Sequence, residues 1–484
     1  MSNWHQRSLT EVSQALAAGQ VTSTTLTEMC LSRIEAHSKL NAFLHVDAAG
    51  AKAAAQSSDQ RRAKGAALSP LDGVPLALKD LIITEGVPTT AASKILAGYL
   101  PPYDGAMPRR LKAAGAVILG KTNLDEFAMG SSGVYSAFGP TLNPWDQARV
   151  PGGSSSGSAV AVAAGLCFGA LGTDTGGSIR QPASLTGILG LKPTYSRVSR
   201  AGTIAFASSL DQVGPFGRSA SDLAIQLQVI AGHDPEDSTS SSAPVPDYSA
   251  NLGRGLSGLK VGVPSEYFVA GMDPGVEQVV QAGLEVLREQ GATLVPISLP
   301  HTQYALSVYY VLCTAEASSN LARYDGLRYG VRAQEKELRR LYAATRHQGF
   351  GHEVQRRIVL GTFVLSAGYY DAYYGRAQKV RSLIRQDFER AFQEVDLIAT
   401  PTSPVTAWKL DERQTDPLSM YLADVYTLAV NLAGIPGLSM PAGFAAGLPV
   451  GLQLLGPWFG EPELLRAAAA FERATVHAQA RPPE

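Results

Sequence analysis

Two glycine–serine runs in fixed order most limit how this chain can fold: Pro151-Gly152-Gly153-Ser154-Ser155-Ser156-Gly157-Ser158, then Gly172-Thr173-Asp174-Thr175-Gly176-Gly177-Ser178-Ile179-Arg180. Paired glycines let a backbone approach its neighbours closely and take torsions other residues avoid. Each pair here delivers a serine to such a place. Upstream, Lys79 ends the apolar stretch Gly73-Val74-Pro75-Leu76-Ala77-Leu78. Taken singly, a glycine–serine run is ordinarily a flexible linker, and a lysine after a strand is a solvated end. The combination points instead to a nucleophilic serine.

A serine hydroxyl is a poor nucleophile until a base takes its proton, and the usual base is histidine. None of His5, His37, His45, His233, His301, His347, His352 and His477 lies inside or beside a glycine-rich serine run. A histidine triad is disfavoured on that ground, with proximity in space left for the fold to decide. Lysine can replace histidine when burial penalises its ammonium and lowers its pKa. Lys79 reads as a half-buried strand end suited to that role, with Ser154 as a bridging hydroxyl between it and Ser178. The N–H groups of Thr175, Gly176 and Gly177 carry little side-chain bulk and are candidate donors to the oxyanion of a tetrahedral intermediate.

With 484 residues the chain can bury a large core. Its 41 lysines and arginines against 42 acidic residues leave a net charge of −1. That excludes a global basic field for nucleic acid, so any RNA contact is expected to be local or made by a partner. Cys30, Cys167 and Cys313 are far apart and lack CxxC spacing, so they read as reduced core thiols rather than a disulfide framework or zinc site. Residues 1–7 have no apolar signal-like region, and the longest apolar run, about Ala159 to Leu171, is short and broken by glycines. The expectation is a soluble, cytoplasmic chain without a membrane span. No G-x-x-x-x-G-K-[ST] run is present, so the chain is not expected to bind ATP itself.

Ser8-Leu9-Thr10-Glu11 has the form of a capping box, opening a helix that Gly19 can close. A second helix is expected from Ser23 to about His37, giving an N-terminal helical region over about 8–60. Gly73 to Leu78 and Ala116 to Leu119 read as short buried strands, and Ser158 to Leu166 as an alanine-rich helix. Strands alternating with helices imply an α/β core. The Ser-, Pro-, Asp- and Gly-rich stretch 233–257 reads as a long surface connection separating the motif core from later elements. Leu259–Pro264 starts a strand, helices follow to roughly Arg390, and Leu397–Thr402 and Gly447–Val450 return strand-like segments. No repeat at solenoid periods is present.

These motifs, joined by the alanine-rich helix and followed by Gly190-Leu191-Lys192-Pro193-Thr194-Tyr195-Ser196-Arg197-Val198-Ser199-Arg200, resemble the amidase signature family. The resemblance implies an α/β fold with a central mixed β-sheet flanked by helices on both faces, built as one domain over 1–484. It implies Ser178 as nucleophile, Ser154 as the bridging serine in a cis peptide after Gly153, and Lys79 as general base. The 24 residues separating positions 154 and 178 are the family's spacing.

Three later segments, Glu316–Gly326, Gly349–Arg357 and Met420–Asp424, resemble the glutaminase components of tRNA-dependent amidotransferases within that family. These hydrolyse glutamine and supply ammonia for converting Glu-tRNA(Gln) and/or Asp-tRNA(Asn) to Gln-tRNA(Gln)/Asn-tRNA(Asn). Free glutamine is a zwitterion, and Arg357 and Asp424 match the positions that hold its α-carboxylate and α-ammonium, with Tyr309 at a further pocket position. A guanidinium can hold a carboxylate through two parallel hydrogen bonds, whereas an ionised aspartate only accepts, which suits an ammonium. The implied partners are a B subunit that uses ATP and Mg and handles misacylated tRNA, and a small C subunit that braces the two larger chains together. No metal or cofactor is implied for this chain. Two departures stand out: Ser156 occupies a position commonly glycine, and Gly133-Val134 replaces a more usual Thr-Glu pair, with Tyr135 following. The second lies near the expected pocket wall. A stand-alone amidase on another small or aryl amide, and a silent assembly component, are the competing readings; the intact Lys79, Ser154 and Ser178 argue against the latter.

Overall fold

A computed structural model describes residues 3–268, 271–412 and 417–483. Its centre is an eleven-stranded mixed sheet: β1 (Phe43–Val46), β2 (Pro75–Lys79), β3 (Val117–Thr122), β4 (Gly169–Asp174), β5 (Leu189–Lys192), β6 (Gln212–Gly217), β7 (Lys260–Pro264), β8 (Thr293–Ile297), β9 (Leu397–Pro401), β10 (Gly437–Ala445) and β11 (Leu448–Leu455). Across the sheet the order is β1-β3-β2-β4-β6-β5-β10-β11-β9-β7-β8. β2 lies parallel between β3 and β4, and β7 parallel between β8 and β9, while the strands joining these two groups pair antiparallel. Every residue of β2, β4, β5, β6, β9 and β11 is buried. Because successive side chains point to opposite faces, such runs require cover on both sides, and helices supply it.

The local signals at the N-terminus are met. Ser8 Oγ accepts the Glu11 N–H at 3.2 Å, the Glu11 carboxylate accepts the Ser8 N–H at 2.7 Å, and the capped helix runs Leu9–Ala17. The next helix is Ser23–Ala36, and β1 then interrupts the helical region before a third helix, Ala48–Ala63. The alanine-rich helix is Ser156–Ala163, and the expected strands return as β2, β3, β7, β9 and β11. The stretch expected to be helical up to Arg390 contains β8, an edge strand whose Pro296 weakened its strand signal. β4 was also hidden, because Gly-Ala-Leu-Gly-Thr-Asp has no local strand preference and owes its state to the neighbours on either side.

Residues 233–257 lie mostly at the surface, with Asp234, Asp237, Tyr248 and Leu256 buried. They form no helix or strand, and Arg197 donates to the Ala243 and Pro244 carbonyls at 3.0 Å each. The segment is fastened to the body, and one sheet continues across it from β6 to β7. Cys30, Cys167 and Cys313 are buried free thiols. Among the described residues no helix is long and apolar enough to cross a membrane.

Candidate active site

Lys79 lies at the C-terminal end of β2 and is wholly buried rather than half-buried, because the flanking strands and the Ser156–Ala163 helix enclose it. Its Nζ reaches Ser154 Oγ at 2.8 Å, Ser155 Oγ at 2.9 Å and Thr173 Oγ1 at 2.8 Å, three hydroxyls and no imidazole. Burial pulls its pKa down to about 7 against the opposing pull of Asp125, Asp174 and Asp211. Ser155 Oγ donates onward to the Thr173 carbonyl at 3.0 Å, so toward Lys79 it accepts. A neutral amine can therefore donate to Ser155 and Thr173 while its lone pair takes the Ser154 proton.

Ser154 follows the one cis peptide of the described backbone, Gly153–Ser154. The Gly153 N–H donates to Gln181 Oε1 at 2.9 Å, the Asp125 N–H to the Ser154 carbonyl at 3.2 Å, and the Ser155 N–H to the Ser178 carbonyl at 3.2 Å. The Ser155 bond ties the two serine runs together, the Gly153 bond ties the first run to the helix Arg180–Thr186, and the Asp125 bond anchors Ser154 to the segment after β3. Ser178 sits on the turn between β4 and the helix Arg180–Thr186 and is 8 % exposed, against 0 % for Lys79 and Ser154.

The glycines before Ser178 are demanded by contact. A Cβ on Gly176 would lie 2.7 Å from the Tyr309 ring, and one on Gly177, at φ +132°, would lie 2.2 Å from Thr427 Oγ1. Gly177 also differs from its expected use, because its N–H already donates to Asp174 Oδ1 at 2.8 Å. The N–H groups of Thr175 and Gly176 enter no such bond among the described residues. Asp174 further accepts the Ile179 N–H at 3.1 Å, a two-point contact from Arg180 at 3.0 and 3.1 Å, and Asn431 Nδ2 at 2.9 Å. Burial would raise its pKa, but the Arg180 charge overrides this and holds it at about 2. Asp174 and Arg180 fix the nucleophile turn; both stood in the motif, but nothing in a one-dimensional sequence marked them as partners.

Tyr309 on the helix Ala305–Asn320, Arg357 on the helix His352–Val364 and Asp424 on the turn Leu422–Asp424 are all buried, and Tyr309 packs directly on Gly176. Arg357 Nε donates to Glu353 Oε1 at 2.8 Å, and its Nη2 is buried without a partner. Asp424 Oδ2 accepts a short hydrogen bond from Ser131 Oγ, and its Oδ1 is likewise buried without a partner. Burial pushes Asp424 up to about 8, with the Ser131 bond and the Arg357 charge pulling the other way. A buried unpaired donor and a buried unpaired acceptor are each costly, and native sites tolerate them where something else binds. Sequence reasoning missed Ser131, whose carbonyl accepts Gln181 Nε2 at 2.8 Å, so that one chain of bonds runs from Asp424 to Gly153.

The two departures noted in the sequence meet in space. A Cβ on Gly133, at φ +80°, would stand 2.6 Å from Ser156 Cβ, so the side chain at 156 fills the room that one at 133 would need. Ser156 Oγ in turn shares a 3.0 Å hydrogen bond with Thr141 Oγ1. Among the described residues no group of three or more His, Cys, Asp or Glu side chains could hold a metal ion.

Residues 25–465 match the family described as Amidase. The chain belongs to the amidase family. This amidase is 63 % identical over 466 residues to the glutamyl-tRNA(Gln) amidotransferase A subunit of Myxococcus xanthus, covering 96 % of both chains. It is 59 % identical over 476 residues to the protein of the same name in Chloroflexus aggregans, covering 98 % of both. Among solved structures, the Thermotoga maritima glutamyl-tRNA(Gln) amidotransferase A subunit superposes with a TM-score of 0.82 at 41 % identity, over 98 % of this amidase and 96 % of that chain. The native peptide amidase of Stenotrophomonas maltophilia gives the same TM-score at 34 % identity, over 100 % and 99 %.

Proposed function

We propose that this amidase is the glutaminase component of a tRNA-dependent amidotransferase. The observation that carries the reading is the pair of unpartnered buried groups, Arg357 Nη2 and Asp424 Oδ1, in the surroundings of Tyr309, which itself lies against the turn leading to Ser178. A donor and an acceptor of opposite charge suit an amino acid's α-carboxylate and α-ammonium. The full-length similarity to the glutamyl-tRNA(Gln) amidotransferase chains supports glutamine as that amino acid.

In this reading neutral Lys79 draws a proton through Ser154 from Ser178, whose Oγ attacks the side-chain amide carbon of glutamine. The negative oxygen that forms is met by N–H groups of the Thr175–Gly177 stretch, above all Thr175 and Gly176, since that of Gly177 is held by Asp174. Collapse breaks the C–N bond, and the proton held by the lysine–serine pair leaves with ammonia. Water then attacks the glutamyl ester under the same base, freeing glutamate and restoring the Ser178 hydroxyl. The ammonia passes to a B subunit that uses ATP and Mg to activate misacylated Glu-tRNA(Gln) or Asp-tRNA(Asn), with a C subunit bracing the pair, in the cytoplasm. This chain uses no cofactor of its own.

The test is glutamate release from glutamine by the chain alone and with B and C subunits, ATP, Mg and misacylated tRNA, beside Ser178→Ala. Release stimulated by the full mixture and abolished by Ser178→Ala, with assembly intact, is the expected result. Turnover of peptide or aryl amides without partners, and none of glutamine, would transfer the assignment to a stand-alone amidase, the reading favoured by the likeness to the peptide amidase.

A further inference from the structure

We infer that Glu353 is a positioning residue that aims Arg357 at the carboxylate of the substrate and so confers preference for amides that carry one. The inference rests on the glutaminase reading above and names the part of the site that reads the α-carboxylate.

Glu353 and Arg357 stand one turn apart on the helix His352–Val364, and each is only 2 % exposed. Residues four apart share a helix face. Glu353 Oε1 accepts both Arg357 Nε at 2.8 Å and the Tyr421 hydroxyl at 2.9 Å, while Oε2 accepts Arg356 Nη1 at 2.5 Å. The Nε bond is the hydrogen bond that Arg357 makes among the described residues, and it holds the guanidinium by its inner edge. The outer edge, with unpartnered Nη2, is left for another acceptor.

Three rings complete the setting. The guanidinium carbon lies 5.3 Å from the Tyr310 centroid, 5.5 Å from that of Tyr421 and 5.6 Å from that of Phe206. Tyr421 stacks on Tyr310 with centroids 3.9 Å apart. The Tyr421 hydroxyl is fixed by Glu353, so this one carboxylate orients both the cation and a wall of its cage. Two arginines converge on Glu353, so the cluster keeps a net positive charge with which to meet a substrate carboxylate. A glutamine side chain in place of Glu353 would keep the shape but lose the charge-assisted bonds that set the plane of the guanidinium.

The experiment compares Glu353→Gln with the unsubstituted chain, each assembled with its B and C subunits, on glutamine and on 4-aminobutanamide, which is glutamine without its carboxylate. The expected result is a glutamine KM raised about 10- to 100-fold, kcat within about threefold, and kcat/KM on 4-aminobutanamide within about threefold of the parent. A glutamine KM within about threefold of the parent, or equal losses on both substrates, would overturn the inference, the latter because a merely structural role harms both alike. If the unsubstituted assembly does not prefer glutamine to 4-aminobutanamide, the glutaminase reading fails, and this inference with it. Should Glu353→Gln not fold, Tyr421→Phe removes one of the bonds to Oε1 and keeps the ring stack. It is expected to raise the glutamine KM about threefold or more with kcat retained, and an unchanged KM overturns the inference.

Discussion

Lowering the pH should silence this site in two separable steps, one in catalysis and one in binding. Lys79 acts only when neutral, and burial sets its pKa to about 7. Between pH 8 and pH 6 its neutral fraction falls from about 90 % to about 9 %, a tenfold loss equal to about 1.4 kcal/mol. Asp424 acts only when ionised, and in the empty site burial raises its pKa to about 8. Over the same range its ionised fraction falls from about one half to about 1 %, a further 50-fold. A bound ammonium pairs with Asp424 and keeps it ionised, so the second loss belongs to the free protein alone. In the full assembly, kcat for glutamine should therefore fall about tenfold from pH 8 to pH 6 with a limiting slope near 1, while kcat/KM falls about 500-fold with a slope approaching 2. Asp424→Asn should bring the kcat/KM slope back to about 1. Steady-state glutamate release at saturating and limiting glutamine measures both. A kcat flat from pH 6 to 8 would refute the neutral-lysine argument, and identical slopes for kcat and kcat/KM would remove Asp424 from recognition.

Arg180→Met should leave the Asp174 carboxylate charged and buried without its counter-ion, costing about 3–5 kcal/mol and loosening the Ser178 turn. The urea midpoint should drop accordingly, and a midpoint within error of the parent would contradict the buried-pair argument. Gly133→Thr should destabilise by about 2–4 kcal/mol through left-handed strain and collision with Ser156 Cβ, whereas Ser156→Gly alone should cost about 1 kcal/mol. Because the two positions contend for one space, the double variant should lose about 1–2 kcal/mol less than the sum of the singles. Strict additivity in denaturation midpoints would show that they do not interact.

Much of the site was legible because its chemistry is concentrated in short runs. The glycine pairs of 152–153 and 176–177 mark places of close approach, and the structure puts the Tyr309 ring and Thr427 where a Cβ would have been. The serines, the apolar run before Lys79 and the capping box at Ser8 are local signals with local outcomes. Glu353, Ser131, Asp174 and Arg180 escaped notice because each matters through a partner. Two of those partnerships, Ser131 with Asp424 and Arg180 with Asn431, span hundreds of residues.

The strands divide the same way. β2, β3 and β9 each open on a run of apolar residues that announces burial, while β4 and β8 take their state from the strands they pair with. The sequence by itself determined the reactive residue types, their order and the α/β alternation, since these depend on composition and spacing within a few turns of chain. Only the tertiary structure decided that Lys79 loses all contact with water, that Asp174 rather than an oxyanion holds the Gly177 N–H, and that Gly133 and Ser156 share one volume. Those outcomes depend on desolvation and excluded volume, which arise when distant segments are packed together.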